Sequence, residues 1–186
     1  MIPVAALEGI HTGRPAAVLG GGPSLRADFP RLPDHAVRLS VNQHGTRYGR
    51  CEFLVYLDSP NLHPSMLRLM LEFPGLRVGR DHWSQVDLSG AAWWQELFSS
   101  QLAAWLACFM GCEPVLLAGM DCYQGDQMYD DPDCENFNPT NAAYTLPLDM
   151  HLASWRKAFQ KCPHPERIRA MSGPLASVFG DWQTKS

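Results

Sequence analysis

Three consecutive glycines at positions 20–22 stand directly after the apolar segment 14–19, and Pro23 and Ser24 follow them. This order is typical of a buried strand, a tight turn and the first turn of a helix, where proline is well tolerated. Glycine lets a ligand approach the backbone closely, and the N–H groups at the start of a helix attract anions. We therefore expect an anion site at this turn, of the kind that holds the phosphate of a nucleotide. A structural turn that binds nothing is the alternative.

Size and charge restrict the class of protein. The chain has 186 residues and a formal net charge of −4, which predicts a single domain over 1–186 with a substantial core. Because it has no run of Lys or Arg, we expect no nucleic-acid partner. No apolar stretch reaches the roughly 18 residues of a membrane span. The first residues lack a basic region followed by a long apolar one, so we expect no signal peptide.

The cysteines and tryptophans favour a cytoplasmic protein with an apolar interior. None of the six cysteines forms a Cys-x-x-Cys pair, so reduced thiols fit better than a disulfide framework or a zinc site. The adjacent Trp93 and Trp94 would suit a contact between subunits, so a homo-oligomer is one expectation.

Apolar segments of strand length alternate with helical patterns along the chain. The predicted strands are 14–19, 36–42, 52–58, 76–79, 114–119 and 168–171, and the predicted helices are 61–73, 99–110, 148–162 and 175–179. This alternation predicts an α/β fold with a doubly wound, mostly parallel, Rossmann-like sheet. Ser99 or Ser100 is the expected N-cap of the second of these helices, and Gly111 its end. The segment 130–147, rich in Asp, Asn and Pro, predicts a surface loop or flexible lid.

Polar residues follow several of the predicted strands. The glycine turn, Asn42, Asp58 and Asp121 each stand where a strand ends. In an open parallel sheet, ligands bind beyond the carboxyl ends of the strands, so these residues are expected to surround one site.

The same strand-end motifs resemble a known group of proteins in their order and spacing. They are GGGPSL at 20–25, VNQ at 41–43, and AGMDCYQ at 118–124 with Tyr129 further on. Together they resemble the bacterial sialyltransferases of glycosyltransferase family 42 and the wider MptE-like (DUF115) group. That group includes archaeal hydroxymethylpterin pyrophosphokinases and small proteins of phage and prophage genomes. The resemblance runs from about Ala17 to about Trp155.

The resemblance implies a role for each matching residue. In the sialyltransferases the glycine-rich loop and an asparagine hold a cytidine nucleotide, and the serine that opens a later helix lies near it. The residues that match are Gly20, Gly22, Pro23, Ser24, Asn42 and Ser99 or Ser100. Where this chain has Gly21, the family carries an asparagine. Asp121 is expected either to contact the nucleotide or to fix its turn.

The resemblance also implies the chemistry. Two tyrosines bind the departing phosphate, matching Tyr123 and Tyr129, and a histidine after the lid deprotonates the acceptor hydroxyl, with His151 the nearest match. These enzymes need no metal. Phenols and the amides of Gly21 and Gly22 are suitable donors to a phosphate that gains charge. A histidine with a pKa near 6.5 can accept a proton at neutral pH.

Other interpretations stay open. A carboxylate group in the predicted loop could hold Mg²⁺ between phosphates, which would favour an MptE-like, Mg²⁺-dependent pyrophosphokinase, although a solvated loop has the same composition. Its members are Asp126, Asp130, Asp131, Asp133 and Glu135. A nucleotide-binding protein without catalysis is a third hypothesis. Structural roles are also open for the tyrosines (loop packing), His151 (a surface residue) and Asn42 (a turn cap).

Overall fold

The computed structural model describes residues 1–57, 64–89, 97–124, 127–131 and 145–182. The strands of this part are β1 (Ile2–Pro3), β2 (Ala16–Leu19), β3 (Val37–Val41), β4 (Phe53–Val55), β5 (Leu76–Val78), β6 (Val86–Asp87), β7 (Val115–Ala118) and β8 (Ile168–Ala170). Its α-helices are α1 (Leu25–Asp28), α2 (Pro64–Glu72), α3 (Ser99–Phe109), α4 (Leu148–Phe159) and α5 (Ala176–Phe179).

Six of these strands form one parallel sheet in the order β5-β4-β3-β2-β7-β8. Helices cover both faces, so the predicted doubly wound, Rossmann-like α/β fold is confirmed. The short strands β1 and β6, which the sequence patterns did not indicate, pair with each other in a separate parallel ribbon.

Strand β2 is buried on both faces of the sheet. Ala16 and Val18 belong to the core that contains α3, whereas Ala17 and Leu19 face the core that contains residues of α1 and α2. All four are fully buried. Strands covered on both faces read as continuous apolar runs, because neither side needs polar residues.

Helix α3 lies against the sheet and begins at Ser99, the first residue of the predicted helix. Its N-cap is Phe98, so the expectation of a serine cap is wrong. The buried Gln101 side chain instead satisfies the amide of the N-cap residue: its Oε1 accepts the Phe98 N–H at 3.1 Å, and its Nε2 donates to Ser154 of α4 at 3.0 Å. The end is as predicted, since Gly111 has a left-handed φ of 79°. In the described part of the chain, no helix has the length and hydropathy needed to cross a membrane.

The helix after the glycine turn is a single turn. Helix α1 contains only four residues, and Ser24 is its N-cap, so Pro23 precedes the helix instead of lying in it. A 3-10 turn, Phe29–Arg31, follows directly. Because a helix dipole is the sum of aligned peptides, so short a helix adds little to the attraction of an anion.

The chain changes direction across the sheet between β2 and β7. From β2 it proceeds through β3, β4 and β5 towards one edge, and β7 and β8 are added on the other side. In doubly wound sheets the crevice at such a switch point is the usual ligand site. The glycine turn and Asp121 follow β2 and β7, so both lie at this crevice.

Asp28 connects helix α1 to two turns at this carboxyl edge. Its side chain is buried, and its Oδ2 accepts the Gly119 N–H at 3.1 Å and the Ser172 hydroxyl at 2.8 Å. Its Oδ1 lies 3.7 Å from the guanidinium of Arg31. The carboxylate thus links α1 to the turns after β7 and β8.

Replacing Asp28 by alanine is expected to lower the free energy of unfolding by about 2–4 kcal/mol, because the buried Gly119 amide and the half-buried Ser172 hydroxyl lose their acceptor. Urea unfolding measures the change, and Asp34→Ala, at an exposed position, is the matched control. If Asp28→Ala lowers the free energy of unfolding no more than Asp34→Ala does, the hydrogen bonds of Asp28 do not stabilise the fold.

Candidate functional site

The glycine turn is hydrogen-bonded to the end of β7. The Gly20 N–H donates to Ala118 O and the Gly22 N–H to Gly119 O, each at 2.9 Å. These amides are therefore not available to a ligand, and the expectation that they form a free anion cradle is wrong. The reason is the parallel pairing of β2 with β7, which continues past both strands into their turns.

The Ser24 amide, at the start of α1, binds a carboxylate of the protein itself. Asp121 Oδ2 accepts the Ser24 N–H at 3.1 Å and the Ser24 hydroxyl at 2.8 Å. The carboxylate is held there by direct hydrogen bonds, the same kind that would hold a phosphate. The expected anion position at Ser24 is thus filled by Asp121, which fixes the turn.

Close packing of two turns explains the glycines. A Cβ at Gly22 would lie 2.0 Å from Asp121 Oδ2, and one at Gly20 would lie 2.4 Å from Gly119 O. Neither approach is sterically allowed. The glycines at 20 and 22 are therefore required by the close approach of the turn after β7, whether or not a ligand binds.

Gly21 differs from its two neighbours. Within the described residues, nothing accepts its N–H, while its carbonyl accepts the Asp130 N–H at 2.7 Å. A Cβ at this position would lie 2.6 Å from the ring of His44. Of the predicted amide donors, Gly21 is the one that stays open.

Four aromatic rings contact one another in a series that begins with His44, beside Gly21. The ring of Tyr129 stacks on His44 with centroids 4.9 Å apart, and Tyr123 meets Tyr129 edge-on at 6.2 Å. His151 of α4 lies 5.7 Å from Tyr123. The structure thus brings the three expected catalytic residues together. Tyr129 and His151 are largely buried, with 8% and 4% of their surface exposed.

His44 is the member of this cluster that sequence reasoning missed. Burial lowers the pKa of its imidazole to about 4, so the ring is neutral at physiological pH. The only sequence signal is its position two residues after Asn42, directly behind a predicted strand.

The turns that carry the site have unusual backbone angles. Asn42, Cys122 and Tyr123 have positive φ values of 50°, 53° and 55°. Asparagine tolerates this region, whereas it costs energy for cysteine and tyrosine and persists only where the surroundings fix it. The Asp121 contacts with Ser24 provide one such anchor directly before Cys122.

Asn42 has a buried acceptor with no donor. Its N–H donates to Val55 O at 2.9 Å, and its carbonyl accepts the Ser40 hydroxyl at 2.7 Å. Its side-chain Oδ1, in contrast, is buried and has no hydrogen-bond partner within the described part of the chain. Such an atom is uncommon in folded proteins, because leaving it unpaired is costly.

Ser99 lies at the same edge but is committed to the scaffold. Its hydroxyl oxygen accepts the Leu57 N–H at 3.0 Å and so holds the chain after β4. Ser100, the other candidate, is half-buried.

The two described acids of the predicted loop are paired with arginines. Asp130 lies 3.3 Å from Arg26, and Asp131 lies 3.0 Å from Arg47. In the described residues no group of three potential ligands could hold a metal. Asp58, Asp126, Asp133, Glu135, Trp93, Trp94 and 132–144 of the expected lid lie outside the described residues.

Comparison with solved structures gives similarity to the MAf glycosyltransferase from Magnetospirillum magneticum AMB-1, with 15% sequence identity and a TM-score of 0.44. The match covers 73% of this chain and 28% of that chain. No protein-family model and no curated protein matches the sequence. The resemblance to sialyltransferases and MptE-like proteins therefore stays a prediction.

The depressed pKa of His44 predicts a pH-dependent stability. Between pH 6.5 and about 4 the unfolded chain takes up a proton at this residue that the folded chain does not. Stability is therefore lost as the pH falls through this window, by about 3 kcal/mol in all.

His44→Phe keeps a ring for Tyr129 but cannot be protonated. The free energies of unfolding of both proteins, measured by urea titration from pH 7 to pH 4, should show the wild type losing about 3 kcal/mol more. Parallel pH profiles would show that the imidazole is not buried in its neutral form.

Proposed function

We propose that this protein is a metal-independent transferase that uses a nucleotide-activated sugar as its donor, with a cytidine nucleotide as the carrier. The observation that carries the proposal is the meeting of Tyr123, Tyr129 and His151 at the carboxyl edge of the sheet. Phenols and an imidazole at one place supply both donors for a leaving phosphate and a base for an acceptor.

Each group has a defined part in this reaction. The bond between the anomeric carbon and the phosphate oxygen breaks, and its electron pair stays on the phosphate. Tyr123 and Tyr129 donate hydrogen bonds to that phosphate as its charge grows. The acceptor hydroxyl oxygen bonds to the anomeric carbon, and its proton passes to His151.

The geometry changes the expected position of the nucleotide. The Asp121 carboxylate at Ser24 would repel a phosphate, so the phosphate belongs nearer the open amide of Gly21. Asn42, behind the neighbouring strand, offers its Oδ1 to a donor on the nucleoside, such as an amino group or a hydroxyl. An oxygen acceptor buried without a partner gains most from a ligand that supplies one.

Two specific observations bear on the other hypotheses. The carboxylates of Asp130 and Asp131 form ion pairs with Arg26 and Arg47. A Mg²⁺ ion would have to compete with these arginines, which weighs against the Mg²⁺-dependent pyrophosphokinase. The burial of Tyr129 and His151 favours a second candidate, a nucleotide-binding protein without turnover, because a buried base has to become accessible to an acceptor.

Nucleotide binding is tested first, by calorimetry with CMP and other nucleotides in the presence of EDTA. We expect CMP to bind, and Asn42→Ala to weaken its affinity about tenfold through the loss of one hydrogen bond to a buried acceptor. If no nucleotide binds with or without Mg²⁺, the proposal fails.

Turnover is tested by the release of CMP from CMP-sialic acid and other CMP-sugars. We expect His151→Ala to abolish release of CMP to an acceptor while CMP still binds, and Tyr123→Phe to slow it by about tenfold to a hundredfold. Tyr56→Phe is the matched control, because this buried phenol bonds Asp81, which is not one of the site residues. Binding without release of CMP from any donor would favour the non-catalytic candidate.

A further inference from the structure

Residues 127–131 contact both the glycine turn and the turn after β3. The Asp130 N–H donates to Gly21 O at 2.7 Å, and Tyr129 stacks on His44. Within the segment, Gln127 Nε2 donates to Tyr129 O at 2.6 Å. We call these five residues the strap.

The carboxylate of Asp130 lies in a small anion-binding site. Its Oδ1 is 3.3 Å from Arg26 Nε, and its Oδ2 accepts the hydroxyl of Tyr48. The Asp130 side chain is only 8% exposed, so these two partners have to replace the water that would otherwise stabilise its negative charge. A cation and a phenol around one carboxylate are groups that equally suit a phosphate oxygen.

The two partners stay ready to bind another anion. Burial, and secondly the hydrogen bond to Asp130, raise the pKa of Tyr48 above its usual value, so its hydroxyl remains a donor. The Arg26 side chain is 76% exposed, which makes its guanidinium reachable from solvent. Arg26 stands in α1, directly behind the glycine turn that the strap covers.

We propose that Arg26 and Tyr48 form a phosphate-binding site, which Asp130 occupies as an internal competitor until the phosphate of a ligand displaces it. The exchange replaces one anion by another on the same donors and frees the carbonyl of Gly21 from the strap. The identity of the ligand as a nucleotide rests on the proposed function, but the site itself requires only a phosphate group.

The decisive variant is Asp130→Asn, which removes the competing charge and keeps the shape of the side chain. Pyrophosphate, titrated by calorimetry, should bind this variant roughly tenfold more tightly than the wild type, since a charge-assisted contact no longer has to be broken. Adding Arg26→Gln to it should cancel the gain. Asp131→Asn is the matched control: it makes the same change of charge one residue away, where Arg47 is the partner, and should stay within about twofold of the wild type.

A second measurement needs no change at Asp130. In the wild type, saturating pyrophosphate should shift the ¹⁵N resonance of the Arg26 Nε, which is assigned by its absence in Arg26→Gln. Equal affinities of Asp130→Asn and Asp131→Asn, or an Arg26 signal that pyrophosphate leaves unchanged, would overturn the proposal and leave Asp130 as a structural ion pair.

Cytidine and CMP separate this proposal from the proposed function. If CMP gains affinity in Asp130→Asn and cytidine does not, the gain belongs to the phosphate, as expected. If CMP binds no better than inorganic phosphate, which carries a similar charge, the cytidine assignment fails while the phosphate site stands. If cytidine and CMP bind the wild type and neither gains in Asp130→Asn, the phosphate site fails while nucleotide binding stands.

Discussion

The Asp121 carboxylate holds together the two turns that meet where the sheet changes direction. It binds both the amide and the hydroxyl of Ser24, and the neighbouring Gly119 accepts the Gly22 N–H and donates its own to Asp28. Any side chain at Gly22 would break this arrangement. The position of the candidate catalytic residue Tyr123 depends on these bonds. Cys122 and Tyr123 follow Asp121 directly and have positive φ values, which persist only where neighbouring contacts fix the backbone.

This closure changes what a glycine-rich turn can do. A cradle of free amides would bind a phosphate by itself. Here, among the residues that the structure describes, only the amide of Gly21 in this turn has no acceptor. An anionic ligand then has to find its remaining donors outside the turn, and Arg26 and Tyr48 stand next to it around Asp130. In the proposed site, an anion would be bound by the Gly21 amide and by Arg26 and Tyr48, which now bind the Asp130 carboxylate.

Local pattern was enough to predict the main elements of the fold. The six strands of the sheet and the helices α2 to α5 follow from apolar periodicity, because burial on one or two faces imposes it. The pairing of β1 with β6 could not be seen, since two-residue strands carry no period. The three residues expected to be catalytic, Tyr123, Tyr129 and His151, are close together, but the hydrogen bonds that close the glycine turn could not be predicted. Ser24 and Asp121 are 97 positions apart, and nothing in the local sequence shows that they bond each other. His44 was missed as a site residue, and Asp130 was considered only as a metal ligand, because their partners lie far away in the sequence.

The Asp121 carboxylate binds the turn at Ser24, and we expect a bound anion to reach Gly21 instead. Amide ¹H–¹⁵N spectra recorded during a titration with CMP test this residue by residue. The Gly21 resonance should move downfield as its N–H gains an acceptor, while those of Gly22 and Ser24 change little. If the largest downfield shifts occur at Gly22 and Ser24 while Gly21 does not move, the anion binds where Asp121 lies now, and the proposed position is wrong.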